Sequence, residues 1–166
     1  MTKKIIITGG LGYIGTELCK LYSGVSWHHK IIVIDNRFIS ERVNQIRNWN
    51  MNFVQGDILD KELIKKYCHD ADIVHHLAGV TDVPRVKSES SKDHDEKIIR
   101  AAKEGTQNIL DAINNECKII VPSSHVVYEG IQKVKKDIAE DEQTYPVLAY
   151  GKSKDYNEKQ LKESGK

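Results

Sequence analysis

The chain has 166 residues, room for one domain with a buried core, and its 25 lysines and arginines stand against 24 acidic residues. That balance gives no electrostatic reason to expect nucleic acid or an anionic membrane as partner. No apolar run nears the ~20 residues of a membrane-spanning helix. The three isoleucines that follow Met1-Thr2-Lys3-Lys4 are too few for a signal-peptide core, so a cytoplasmic location is expected.

Short β-branched runs alternate with helical spacing along the chain. Ile5-Ile6-Ile7 predicts a first strand that breaks into glycines, and Ile14, Leu18, Leu21 and Tyr22 then follow at helical spacing. Ile31 to Ile34 is a second strand closed by Asp35. Phe38 to Asn48 is only weakly helical and reads mostly as loop. Phe53-Val54 marks a third strand, with Leu63, Ile64 and Tyr67 on a short helix after it. Ile73 to Leu77 is a fourth strand. Val83 to Asp95 is polar and charged, as a mobile surface loop over the ligand edge would be. Ile98, Ile99, Ala102, Ile109, Leu110 and Ile113 share one face of a long helix, and Ile119-Ile120-Val121 is a fifth strand.

Continuous apolar strands alternating with helices imply strands buried on both faces, hence a parallel sheet. Right-handed crossovers then give a doubly wound α/β fold. Cys19, Cys68 and Cys117 are far apart and form no CxxC pair, so they read as free thiols packed as small hydrophobes. The doublets His28-His29 and His75-His76 have no partner at metal-ligand spacing and read as structural; no metal is expected.

Between the first strand and the first helix lies Thr8-Gly9-Gly10-Leu11-Gly12-Tyr13-Ile14-Gly15. The glycines fit two registers, Gly9/Gly12/Gly15 or Gly10/Gly12/Gly15. Either lets the backbone turn tightly and approach a pyrophosphate at a helix N-terminus. Asp35 follows twenty residues after Gly15 at the end of the next strand, where a carboxylate can accept from the adenosine ribose hydroxyls. The same charge would repel the extra phosphate of NADP, so NAD is the expected cofactor, with Arg37 and Arg42 close enough to soften that preference.

Tyr150-Gly151-Lys152-Ser153-Lys154 places a tyrosine and a lysine four residues apart, on one helix face. A phenol with its reference pKa near 10 is a poor base at neutral pH, and a nearby ammonium would stabilise its phenolate. Ser123-Ser124 follows the fifth strand, where a hydroxyl would meet the ligand crevice of a parallel sheet.

The order TGGLGYIG, VIDN, GDILD, HLAG, SSHVVYEG, YGKSK resembles the extended short-chain dehydrogenase/reductase family, in its NAD-dependent epimerase/dehydratase group. The resemblance covers essentially the whole chain and implies a Rossmann fold. It puts Gly9, Gly12, Tyr13, Ile14 and Gly15 at the phosphate loop, and Asp35 and Asn36 at the ribose. It puts Asp57 and Ile58 on the adenine side, and Leu77, Ala78 and Gly79 along the cofactor. Ser124, Tyr150 and Lys154 correspond to the catalytic triad, the last two also touching the cofactor. The implied chemistry is transient hydride removal from a nucleotide-sugar carbon by tightly held NAD. Tyr150 would be the base on the sugar hydroxyl, Ser124 its hydrogen-bonding partner, and Lys154 the residue that binds the nicotinamide ribose and tunes Tyr150. A sugar-ketone reductase with the same triad and a non-catalytic dinucleotide-binding module are the other readings.

Three positions depart from the family pattern. Val126 stands where the dehydratases carry an acid, which favours epimerase or simple ketone/alcohol chemistry. Glu129 displaces the glycine that follows the tyrosine of the Val-Tyr pair. Ala102 stands where the long helix normally carries an asparagine. The resemblance further implies a homodimer through the long helix and the Tyr150 helix. It also implies that residues 1–166 are the NAD-binding domain alone, stopping after the fifth strand and the Tyr-x-x-x-Lys helix, with the C-terminal sugar-nucleotide domain absent.

Overall fold

The computed structural model describes residues 1–80, 91–133 and 135–166. Five strands form one parallel sheet: β1 (Lys4–Thr8), β2 (Lys30–Asp35), β3 (Asn52–Gln55), β4 (Ile73–His76) and β5 (Lys118–Ile120). Their spatial order is β3-β2-β1-β4-β5. The chain works outward from β1 to one edge, then returns past β1 to build the other. The strand ends on either side of that reversal diverge and leave a crevice at the carboxyl ends of β1 and β4. In register, Thr8 of β1 lies between Ile34 of β2 and His76 of β4.

The isoleucine runs of β1 and β2 are buried on both faces, as a sheet covered by helices on each side requires. Ile6, Ile32, Ile34 and Val74 point to one side and pack with Ile64 and Cys68 of α3 (Lys61–Cys68) and with Ile109 and Leu110 of α5 (Thr106–Ala112). Ile5, Ile7, Ile31 and Val33 point to the other. They meet Cys19 of α1 (Tyr13–Ser23) and Val43 and Ile46 of α2 (Ser40–Asn48). Each fully buried isoleucine contributes roughly 1.5–3 kcal/mol. The doubly wound α/β architecture expected from the strand pattern is the observed one.

Some elements differ from the sequence expectation. Residues 40–48 form a helix rather than a loop, because Val43 and Ile46, one turn apart, are both fully buried against the sheet. Ile14 and Leu21 lie on the outer face of α1, 60% and 79% exposed. The inner face is made by Gly15 and Cys19, small enough to bring the helix close to the strands, with the expected Leu18 and Tyr22 partly buried against the same cluster. Most of the expected polar loop, residues 83–90, lies outside the described residues. Its last residues are helical, since α4 (Lys92–Arg100) starts after Ser91, whose hydroxyl accepts from His94 N–H.

The long helix is not uniform. α4 runs into a π-helical turn at Ala101–Gly105 and continues as α5. Gly105 faces Ile58 so closely that a Cβ there would lie 2.3 Å from Ile58 Cδ1. After β5 the chain makes a 3-10 turn (His125–Tyr128) and ends in α6 (Ala149–Ser164). The three cysteines are buried and unpaired, and burial pushes the Cys19 and Cys68 thiols up to about 12, so both stay protonated. No described helix is long and apolar enough to cross a membrane.

Candidate active site

The loop from β1 to α1 is built for close approach to its backbone. Gly9 has φ +69°, and a Cβ on it would lie 2.7 Å from the Ala78 nitrogen. At Gly10 a Cβ would lie 2.1 Å from the buried Val33 Cγ1. Both glycine registers are therefore occupied for a reason: Gly9 by conformation and the β4 loop, Gly10 by β2. A Cβ on Gly15 would lie 2.4 Å from the Gly9 carbonyl oxygen. The turn closes through Gly12 N–H on Gly9 O at 3.0 Å, and no side chain caps the first turn of α1. The N–H groups of that first turn and the positive end of the helix dipole can receive an anion. Tyr13 and Ile14 stand exposed at this helix end.

Asp35 ends β2 beside the loop and is 5% exposed. Its Oδ2 accepts from Leu11 N–H at 2.9 Å; its Oδ1 accepts from Arg37 N–H at 3.0 Å and Arg37 Nε at 3.2 Å. Arg42 donates to the Leu11 carbonyl. Asn36 Nδ2 donates to Asp57 Oδ2 at 3.1 Å, while Asp57 Oδ1 accepts from Leu59 N–H. The Ile58 side chain faces Gly105 in the core, and its carbonyl accepts from Asn108. After β4, Leu77 N–H donates to Thr8 O and Ala78 N–H to Thr8 Oγ1, which ties residues 77 and 78 to the start of the glycine loop, with Gly79 following them.

Ser124 immediately precedes the 3-10 turn after β5, and the turn packs on α6: a Cβ on Gly151 would lie 2.9 Å from the Val126 carbonyl oxygen. Tyr150 and Lys154 stand one turn apart on α6, with Lys154 Nζ 5.5 Å from the Tyr150 ring centre. The ammonium donates to the Pro122 carbonyl at 3.0 Å, and burial holds its pKa below the ordinary lysine value. Glu129 closes the top of this helix: its Oε1 accepts from Val147 N–H at 2.7 Å and Leu148 N–H at 2.6 Å. The residue that departs from the family pattern at 129 thus satisfies backbone donors just before α6.

One group of residues escaped the sequence reading. His76 is 2% exposed and bridges two hydroxyls, Thr8 Oγ1 at Nδ1 (2.8 Å) and Thr106 Oγ1 at Nε2 (3.0 Å). Burial pushes its pKa down to about 4, so the ring is neutral near pH 7. Its doublet partner His75 faces the other side of the sheet, with Nε2 2.8 Å from Tyr22 Oη. The signal for His76 was an imidazole at the buried end of a strand that opens on Ile73 and Val74; its partners come from distant elements and carry no local pattern.

The profile of the 3-beta hydroxysteroid dehydrogenase/isomerase family matches residues 6–166. The UDP-glucose 4-epimerase of Neisseria meningitidis serogroup C is 31% identical over 170 residues, covering 96% of this chain and 47% of the relative. The dTDP-D-glucose 4,6-dehydratase of Dictyostelium discoideum is 33% identical over 134 residues, covering 76% of this chain and 30% of the relative. The crystal structure of UDP-glucose 4-epimerase from Brucella ovis in complex with NAD superimposes with a TM-score of 0.77 at 30% identity, over 98% of this chain and 47% of that one. The chain thus spans about half or less of the length of these relatives.

Proposed function

The chain belongs to the 3-beta hydroxysteroid dehydrogenase/isomerase family, and on that premise we propose that it is the NAD-binding domain, residues 1–166, of a nucleotide-sugar epimerase. The observation that carries the reading is the glycine loop. Its backbone is bare, it opens onto a helix end that no side chain caps, and the carboxylate of Asp35 stands buried beside it. These residues fit a dinucleotide: Gly9, Gly12 and Gly15 admit the pyrophosphate, Tyr13 and Ile14 flank it, and Asp35 and Asn36 receive the ribose hydroxyls. Asp57 and Ile58 border the adenine, while Leu77, Ala78 and Gly79 line the cofactor's path. When bound, NAD supplies a hydride acceptor and donor.

Tyr150 is the base on the sugar hydroxyl. Lys154, whose ammonium lies 5.5 Å from the centre of that ring, binds the nicotinamide ribose. Ser124 hydrogen-bonds the same hydroxyl. Val126 places no acid in the turn before α6, which supports epimerisation over elimination. The nucleotide of the sugar is assigned to a part of the protein beyond this domain. The relatives' names support a nucleotide sugar as substrate. The protein is read as a cytoplasmic homodimer paired through α4 and α6, where Ile99, Val147 and Leu148 lie among the charges of Lys92, Glu96 and Lys152.

Tyr150→Phe in the protein that carries this domain keeps the ring and removes the hydroxyl. Turnover of a nucleotide sugar is expected to fall by roughly 10²–10⁴ with NAD still bound. Turnover at the parental rate would overturn the role of Tyr150.

A further inference from the structure

Three residues of α6 that carry polar side chains, Ser153, Asp155 and Asn157, are each no more than 7% exposed. Ser153 donates to the Tyr150 carbonyl in its own helix, and Asp155 is held by Thr144 and Lys159. Asn157 differs, because its partners lie mostly outside α6. Its amide nitrogen sits 3.2 Å from Ala102 O, Thr106 Oγ1 and Ser153 O. The nitrogen rather than the oxygen takes that place because two of the three are carbonyls, which only accept.

From Asn157 a line of hydrogen bonds crosses to the sheet. Thr106 Oγ1 accepts from Asn157 and shares a hydrogen bond with His76 Nε2 at 3.0 Å, while His76 Nδ1 shares one with Thr8 Oγ1 at 2.8 Å, and Thr8 Oγ1 also accepts from Ala78 N–H. This arrangement satisfies both ring nitrogens with the imidazole neutral. One end of the line is the residue before the glycine loop, and the other is one helical turn past Lys154. The π turn receives α6 at further points. Gln160 Nε2 donates to Lys103 O at 3.0 Å, and Lys103 Nζ lies 4.0 Å from the Tyr156 ring centre.

We propose that Asn157 is a positioning residue, whose amide seats α6 in the π turn at Ala101–Gly105 and so fixes the direction of Lys154. This deepens the reading of Tyr150 and Lys154 as the reactive pair and rests on it. Lys154 has one described hydrogen-bond partner, Pro122 O, which belongs to the β5 loop and not to α6. The distance between that carbonyl and the lysine therefore depends on where α6 sits. Asn157 fixes this at the point one turn away, on the same helix face. Ala102, small and 8% exposed, leaves the space into which the amide reaches from the opposite helix, at the position where the family resemblance leads one to expect an asparagine. An aspartate of the same shape would set a carboxylate against two carbonyl oxygens and cannot serve.

The test uses the chain itself, with the Lys154 ammonium followed by NMR of isotope-labelled lysine across a pH titration. It is run first without cofactor and then with NAD. In Asn157→Ala, α6 is freed, Lys154 becomes better solvated, and its pKa is expected to rise toward the ordinary lysine value of about 10.4. NAD binding is expected to weaken about three- to tenfold, the weight of one net hydrogen bond. Moving the amide across, as Ala102→Asn with Asn157→Ala, is expected to restore both. Asn157→Asp, which preserves volume, serves if the alanine variant does not fold, and is expected to shift Lys154 in the same direction. A Lys154 titration identical to the parent's in a folded Asn157 variant, at a temperature well below its melting point, would overturn the proposal even if stability fell. Failure of the parent chain to bind NAD would instead count against the proposed function, leaving the cofactor-free titration to decide this point.

Discussion

Acidification is expected to unfold this protein earlier than its carboxylates require, through His76. The unfolded chain binds a proton there near pH 6.5, whereas burial holds the folded-state pKa at about 4. A group with a depressed folded pKa contributes stability above its unfolded value and loses it as pH falls toward the folded one. The stability at stake is about 2.5 pKa units, or ~3 kcal/mol in all, of which about 2 kcal/mol is already lost at pH 5. Most carboxylates are still ionised at pH 5, so the interval from pH 7.5 to 5.0 isolates the histidines. Urea denaturation at those two pH values measures the loss directly. His76→Gln removes the titrating group; it should be less stable at pH 7.5 but should depend on pH less than the parent by ~2 kcal/mol. His75, which burial also holds low, adds the same sign in both proteins and cancels from the comparison. If parent and variant lost equal stability over that interval, His76 would not be the neutral bridge described above.

Asp35→Ala should weaken NAD binding and narrow its preference over NADP about tenfold, read by calorimetric titration with each cofactor; tighter binding of NADP to the parent would refute the role of Asp35. Gly9→Ala faces both a left-handed φ of +69° and a Cβ 2.7 Å from Ala78 N, and should cost more than ~1–2 kcal/mol in thermal melts. Gly24→Ala, at φ −66° with open space around the added methyl, should be neutral or gain up to ~1 kcal/mol; equal losses at both sites would sink the packing account of the loop. Ile99→Lys charges the apolar part of the α4–α6 face and should shift a dimer toward monomer in light scattering, whereas a parent that is monomeric at all concentrations removes the dimer.

What could be read along the chain was whatever depends on near neighbours. The isoleucine runs at 5–7 and 31–34, the glycines after Thr8, and Asp35 at a strand end are each local patterns, and the sheet places them as expected. Helical faces were harder where the buried residues are small or few. α1 turns Gly15 and Cys19 inward, not Ile14 and Leu21, because Gly15 packs directly on the Gly9 carbonyl of the glycine loop, and a hydrophobicity pattern does not weigh glycine. α2 has only Val43 and Ile46 to signal it, yet both are fully buried, so its helix is made by tertiary contact more than by propensity.

The site shows the same division at a finer scale. Ser124, Tyr150 and Lys154 are visible as residue types at fixed spacing, but the spacing says nothing of what holds α6 to the sheet. Two of the family departures meet there. Glu129 caps the start of α6 from the 3-10 turn, and Ala102 leaves room for Asn157 to enter the π turn from α6. A glycine at 129 has no side chain to accept from Val147 and Leu148, and a bulky residue at 102 would compete with the Asn157 amide for its space. Each departure read singly weakens the resemblance. Together they describe one helix held just before its first turn by a carboxylate and at its third by an amide, with Tyr150 and Lys154 between the two.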